Sequence, residues 1–136
     1  MVVVDSSFLV AYHNRGDVHH ASAARGMERM LAGDWGPGLL LEYVFLEVVT
    51  VLLARRGLDV ASRVGLTLLQ AQELEFVPCS DVFLDTLDLF RRQRVGRLSF
   101  TDCAIVTVAR SRRANLVATF DTDFGEVGGL SVVPSP

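Results

Sequence analysis

The chain opens Val2-Val3-Val4-Asp5, a β-branched run that stops on a carboxylate. Three adjacent β-branched residues with no polar alternation read as a short strand buried within a sheet, its C-terminal tip carrying the acid. Leu116-Val117-Ala118 repeats the arrangement, running into Thr119 and then Asp121. Between these two runs the pattern is helical, and alternation of short apolar strands with helices specifies an α/β fold with a mainly parallel central sheet. In such sheets ligands gather beyond the carboxyl ends of the strands, near the switch point of the strand order. Both aspartate-tipped strands therefore point toward the place where chemistry is expected.

The remaining elements follow from caps, breakers and periodicity. Residues 6–13 form a short helix with Ser6 or Ser7 as its cap, and residues 14–20 form a polar loop. A helix runs from His19 through Leu31 with Ala23, Met27, Met30 and Leu31 on one side. Gly33, Gly36, Pro37 and Gly38 mark a loop, followed by a buried strand over Leu39–Leu41. A helix spans 42–56, with Val44, Phe45, Val48, Val51 and Leu52 inward and Gly57 ending it. Another begins at Asp59 and runs to 73. Glu75–Pro78 is extended, and Ser80 or Asp81 caps a helix through Arg92 with Val82, Leu84, Leu87 and Phe90 as its apolar residues. After a loop over Arg94–Phe100, a helix starts at Ser99 or Thr101 and runs to about Arg113. Asp123–Gly129 is a loop, and Leu130–Val133 is the last strand. No repeat, low-complexity stretch or linker interrupts the 136 residues, which suit a single domain over 1–136.

Composition narrows the function. Half of the residues are hydrophobic, enough for one core. The longest apolar stretch, residues 43–54, is broken by Glu47 and followed by Arg55 and Arg56, so no membrane span is expected. Asp5 falls where a signal peptide would carry its apolar region, which points to the cytoplasm. Cys79 and Cys103 have no metal-ligand spacing and are expected to be reduced core or near-surface residues. The net charge of −3 argues mildly against a nucleic-acid partner. That argument weakens if several acids converge on a metal and leave the arginines to form a local patch.

Four carboxylates stand in apolar settings: Asp5, Glu47 within Tyr43–Thr50, Asp102 within Leu98–Val106, and Asp121 within Ala118–Phe124, with Asp123 two residues on. Singly, Asp5 and Asp102 are good helix caps, Glu47 fits a solvated helix side, and Asp121 and Asp123 suit turns. Together, a parallel sheet brings all four to one rim. Grouped carboxylates raise one another's pKa, and a hard divalent cation such as Mg²⁺ or Mn²⁺ relieves that repulsion. A cation so held activates water and stabilises phosphoryl charge, so phosphodiester cleavage fits the group best. Zinc patterns, a Gly-rich phosphate loop and a nucleophile elbow are missing. A response-regulator-like or phosphatase-like pocket would need a lysine, and every basic residue here is arginine. His13, His19 and His20 read as a solvated polar stretch rather than ligands, and Trp35 as a packing plug or a base-stacking residue.

These motifs, in this order and spacing, resemble those of PIN-domain ribonucleases, in particular VapC-type toxins of bacterial toxin–antitoxin pairs. The likeness runs from Val2–Leu9 through Glu42–Leu52 and Leu98–Val106 to Ala118–Phe124. It implies a three-layer α/β/α sandwich and cleavage of single-stranded RNA with Mg²⁺ or Mn²⁺. Carried over motif by motif, Asp5 and Asp102 are the principal metal ligands, Glu47 completes the acidic pocket, and Asp121 is the fourth acid, with Asp123 as alternate. Ser6 would orient Asp5 or a water, and Thr119 would do the same for the last acid. Related chains often carry Asp at the position of Glu42, which here reads as a helix-start acid favoured by the dipole. The resemblance also implies a homodimer and a cognate antitoxin, with the helices at 42–56 and 59–73 either supplying those surfaces or belonging to the core. Arg91, Arg92, Arg94 and Arg97 are candidate RNA phosphate contacts, while Arg110, Arg112 and Arg113 read as solvated charge. Two alternatives share the fold: a housekeeping RNA-processing nuclease, and an inactive RNA- or protein-binding module.

Overall fold

The computed structural model describes residues 1–135. Five strands, β1 (Val2–Val4), β2 (Gly38–Leu41), β3 (Leu74–Val77), β4 (Leu116–Ala118) and β5 (Ser131–Val133), form one sheet in the order β3-β2-β1-β4-β5. Every pairing is parallel. Val2 faces Gly38 on one side and Leu116 on the other, so β1 is central. Its three valines are wholly buried, as an unbroken β-branched run requires.

Six helices connect the strands: α1 (Ser6–His13), α2 (His20–Leu31), α3 (Glu42–Arg56), α4 (Leu58–Gln70), α5 (Phe83–Arg91) and α6 (Phe100–Arg112). The chain winds from β1 out to β3, then crosses back to β4 and on to β5. Right-handed crossovers place helices on opposite faces when the winding reverses. The packing follows that rule, with α1 against both α2 and α3, α3 against α4, and α5 against α6. The result is an α/β/α sandwich, and the reversal makes the β1/β4 boundary the switch point.

Local physics adjusts several expected boundaries. The cap of α1 is Asp5, not Ser6 or Ser7: its Oδ1 accepts from Ser6 N at 2.8 Å. The helix expected to reach residue 73 ends at Gln70, because Glu73 and Leu74 are drawn into the sheet, where Gly38 N donates to Glu73 O at 3.2 Å. A Cβ on Gly38 would stand 2.7 Å from Leu74 Cδ2, so glycine permits that approach. The helix expected from Ser80 or Asp81 begins with a 3₁₀ turn over Ser80–Val82 and continues as α5. The apolar residues of α5 are largely exposed: Leu84 is 74% exposed and only Thr86 is buried. Leu31 is also exposed. A short amphipathic period identifies a helix but does not say how much of its apolar stripe the neighbours cover. Phe83 and Phe90 instead cluster with Phe100 at centroid distances of 5.5 and 5.8 Å.

Ser99 caps α6 in a reciprocal capping box with Asp102. Glu42 opens α3, and its Oε1 accepts from Cys79 N at 3.0 Å, tying the helix start to the segment after β3. Both cysteines are free and buried. Trp35 is buried edge-on against Phe8, a packing residue. No helix among the described residues is long and apolar enough to cross a membrane.

Candidate active site

Strand β1 delivers Asp5 to the C-terminal rim of the sheet, and β4 delivers Thr119, Phe120 and Asp121 beside it. Asp5 is only 4% exposed and Thr119 1%. Thr119 Oγ1 donates to Asp5 Oδ2 at 2.6 Å and accepts from Asp121 N at 2.9 Å, so one hydroxyl links the two strand tips. Ser7 closes the same knot: its Oγ donates toward Asp5 Oδ2 at 3.2 Å, stands 3.1 Å from Thr119 Oγ1, and accepts from Phe120 N at 3.0 Å. Helix α3 packs on α1, which brings exposed Glu47 to Ser6, whose Oγ donates to Glu47 Oε1 at 2.7 Å.

Three of the acids serve local backbone as well. Asp5 Oδ1 caps α1, Asp121 Oδ1 accepts from Asp123 N at 2.9 Å, and Asp102 Oδ2 accepts from Ser99 N at 2.9 Å. Capping and site roles thus coexist, since a carboxylate has about four acceptor positions.

The electrostatics show which acids feel one another's charge. Burial pushes the Asp5 carboxyl up from 3.8 to about 6, against hydrogen bonds from Thr119 and Ser6 that pull it down, and the charges of Asp102 and Glu47 raise it further. Burial also raises Asp102, with Asp121 and Glu47 adding to the rise. Asp5, Glu47, Asp102 and Asp121 therefore share one field, in which Asp102 feels both Glu47 and Asp121. Asp123 exerts no comparable pull on either; its backbone supports Asp121 instead.

Hard carboxylate oxygens in a crowded anionic field suit a divalent cation, which removes their repulsion. Among the described residues no group of three or more His, Cys, Asp or Glu side chains is placed to hold a metal ion. Mg²⁺ needs none, since it keeps several waters and takes one or two carboxylates. The donor set fits such a water-rich site.

The expected supporting roles are redistributed. The Ser6 hydroxyl serves Glu47, and the hydroxyls on Asp5 belong to Thr119 and to Ser7, the latter passed over by sequence reasoning although it lies in the same Asp5-Ser6-Ser7 run. Arg91 and Arg92 pair with Asp88, and Arg97 pairs with Glu126 at 3.1 Å; Arg94 is exposed. A different cation, Arg55 at the end of α3, lines a cavity of about 230 Å³ with Ser6, Ser7, His19 and Glu47. The three histidines separate: His13 is half-buried and its pKa lowered by burial, His20 Nδ1 lies 2.8 Å from Ala11 O, and His19 lies over Phe120.

A family model for the PIN domain matches residues 2–130. The chain belongs to the PIN-domain family. Among curated proteins none matches significantly. Among solved structures, the PIN chain is similar to VapC20 of Mycobacterium tuberculosis, described as a sarcin–ricin loop cleaving toxin. The TM-score is 0.82 at 25% identity, covering 94% of this chain and 95% of that one. A toxin–antitoxin complex from Klebsiella pneumoniae shares the PIN-like fold with a TM-score of 0.69 at 16% identity, covering 96% of each chain.

Proposed function

We propose that this PIN-domain chain is a divalent-metal-dependent endoribonuclease cleaving single-stranded RNA, the toxin of a toxin–antitoxin pair. The observation that carries the reading is the shared field of Asp5, Glu47, Asp102 and Asp121 at the switch point: burial lifts the Asp5 carboxyl to about 6, and the charges of Asp102 and Glu47 add to that rise. The likeness to a sarcin–ricin loop cleaving toxin supports it.

Asp5 and Asp102 would hold Mg²⁺ or Mn²⁺, with Glu47 and Asp121 completing the pocket by direct or water-mediated contact. Such an ion supplies charge stabilisation at the phosphoryl group and a more acidic water. The chain's own part is to hold these acids still. Thr119 and Ser7 keep Asp5 in one orientation, Ser6 does so for Glu47, and Ser99 for Asp102. Asp121 is kept in place by Asp123 N and Thr119 Oγ1. Arg55, beside Glu47, offers a substrate phosphate a cation at the pocket's edge; exposed Arg94 is a second candidate. Between α3 and α4, exposed Leu53, Leu58, Leu66 and Leu69 leave an apolar surface around a cavity of about 450 Å³, suited to an antitoxin segment or a second copy of the chain.

The test is cleavage of labelled single-stranded RNA in Mg²⁺, Mn²⁺ or EDTA, alongside Asp5→Asn. Metal-dependent cleavage that the variant loses supports the nuclease. Equal cleavage by both proteins in Mg²⁺ would sink it. Growth arrest on expression, relieved by a co-expressed neighbouring reading frame, supports the toxin role; growth without arrest favours a housekeeping nuclease.

A further inference from the structure

Four aromatic rings run from the core to the rim of the acidic pocket. Buried Trp35 meets Phe8 edge-on at 6.1 Å, Phe8 meets Phe120 at 6.2 Å and 26°, and Phe120 lies under His19 at 4.4 Å and 5°. The column ends at an exposed ring lying flat on its neighbour. Nothing local requires that pose. His19 starts α2 through its backbone, with its N donating to Asp17 Oδ1 at 2.8 Å and its O accepting from Ala23 N at 2.9 Å. Among the described residues the imidazole makes no hydrogen bond of its own.

His19 also lines two cavities, one of them more polar than the other. On one side, about 440 Å³ is lined mainly by apolar surface, including Phe120, Val132 and Pro134, and reaches Thr119 and Asp121. On the other side lies the smaller cavity that carries Arg55, Ser6 and Glu47. A nucleotide divides in the same way, into a flat apolar base and a charged sugar–phosphate. Phe120 is tied to the acids as well, because its N donates to the Ser7 hydroxyl that also reaches Asp5.

We propose that the stacked rings of His19 and Phe120 are a base platform, against which a nucleobase of single-stranded RNA lies in the 440 Å³ cavity beside the acids. This rests on the ribonuclease reading and adds where the substrate is held. Stacking is sequence-tolerant, since every base has a π-face. His19 is a positioning residue in this scheme, acting on the base and not on the phosphodiester.

The experiment measures binding of a short, labelled, random-sequence single-stranded RNA pool to Asp102→Asn protein in Mg²⁺, a background in which cleavage is suppressed. Adding His19→Ala should weaken binding roughly 5- to 150-fold. Adding His19→Phe should keep affinity within about threefold, and His19→Lys should bind as weakly as Ala, because stacking needs a ring and not a charge. Melting curves identify any variant that weakens the fold. His19 is exposed, so its variants are expected to fold. Unchanged affinity in His19→Ala, or rescue by Lys but not Phe, overturns the platform. So does a parent that binds no RNA, and cleavage by the wild-type protein then decides separately whether the nuclease reading falls with it.

Discussion

Asp5 and Glu47 serve one pocket under opposite physical conditions. Asp5 is 4% exposed on a central strand tip, held by Ser6, Ser7 and Thr119, and its carboxyl is lifted to about 6. Glu47 is exposed on a helix, with one hydrogen bond from Ser6. The sheet thus supplies a fixed, desolvated anion that weakens the metal-free fold, whereas the helix supplies a solvated anion that can adjust. Asp5 is fixed by three donors before any substrate arrives, whereas Glu47 is held by a single hydrogen bond.

The largest test of that contrast is stability. A carboxyl whose pKa is raised by folding contributes stability that is fully present below 3.8 and lost as pH rises through about 6. Ionised Asp5 then opposes folding by up to about 3 kcal/mol. In EDTA, Asp5→Asn should be more stable than wild type at pH 8 by up to about 3 kcal/mol, with the advantage gone near pH 4. Urea unfolding at the two values checks this, and equal stability at pH 8 would break the contrast. Next, Mg²⁺ at roughly a hundred times its Kd should stabilise wild type by about 2.7 kcal/mol and leave Asp5→Asn almost unmoved, as read by thermal shift.

Ser7→Ala should destabilise by about 1–3 kcal/mol, because it orphans Phe120 N and loosens Asp5. Glu47→Gln should leave stability within about 0.5 kcal/mol while lowering cleavage by about 10- to 100-fold; a larger loss of stability than in Ser7→Ala would reverse the assignment of fixed and adjustable acids. The smallest effect is expected at the cations. Arg55→Ala should reduce the salt slope of RNA binding by about one, and the Asp88-paired Arg91 should change it little.

Much of this molecule is legible from its chain. Val2–Asp5 and Leu116–Asp121 announce buried strands that end in acids, because an apolar run without alternation has only the sheet interior to occupy and its polar successor must leave at the end. Period and breakers place α3 at residues 42–56 as found, and Ser99 and Asp102 satisfy the capping-box spacing. Local signals of this kind act within a few residues, so they survive without a three-dimensional context. What the chain alone leaves open lies across it. The choice between Ser6 and Ser7 as Asp5's partner depends on the approach of α3 and β4 from opposite sides. The outward face of α5 depends on how much of it α6 covers. The placing of His19 on Phe120 joins a loop to a strand end a hundred residues on. The sequence by itself determined most of the elements and singled out the four acids as candidates, since propensity, capping and periodicity are local energies. Only the tertiary structure decided which hydroxyls reach those acids and that His19 lies on Phe120, because contact between distant residues is set by packing and sheet order.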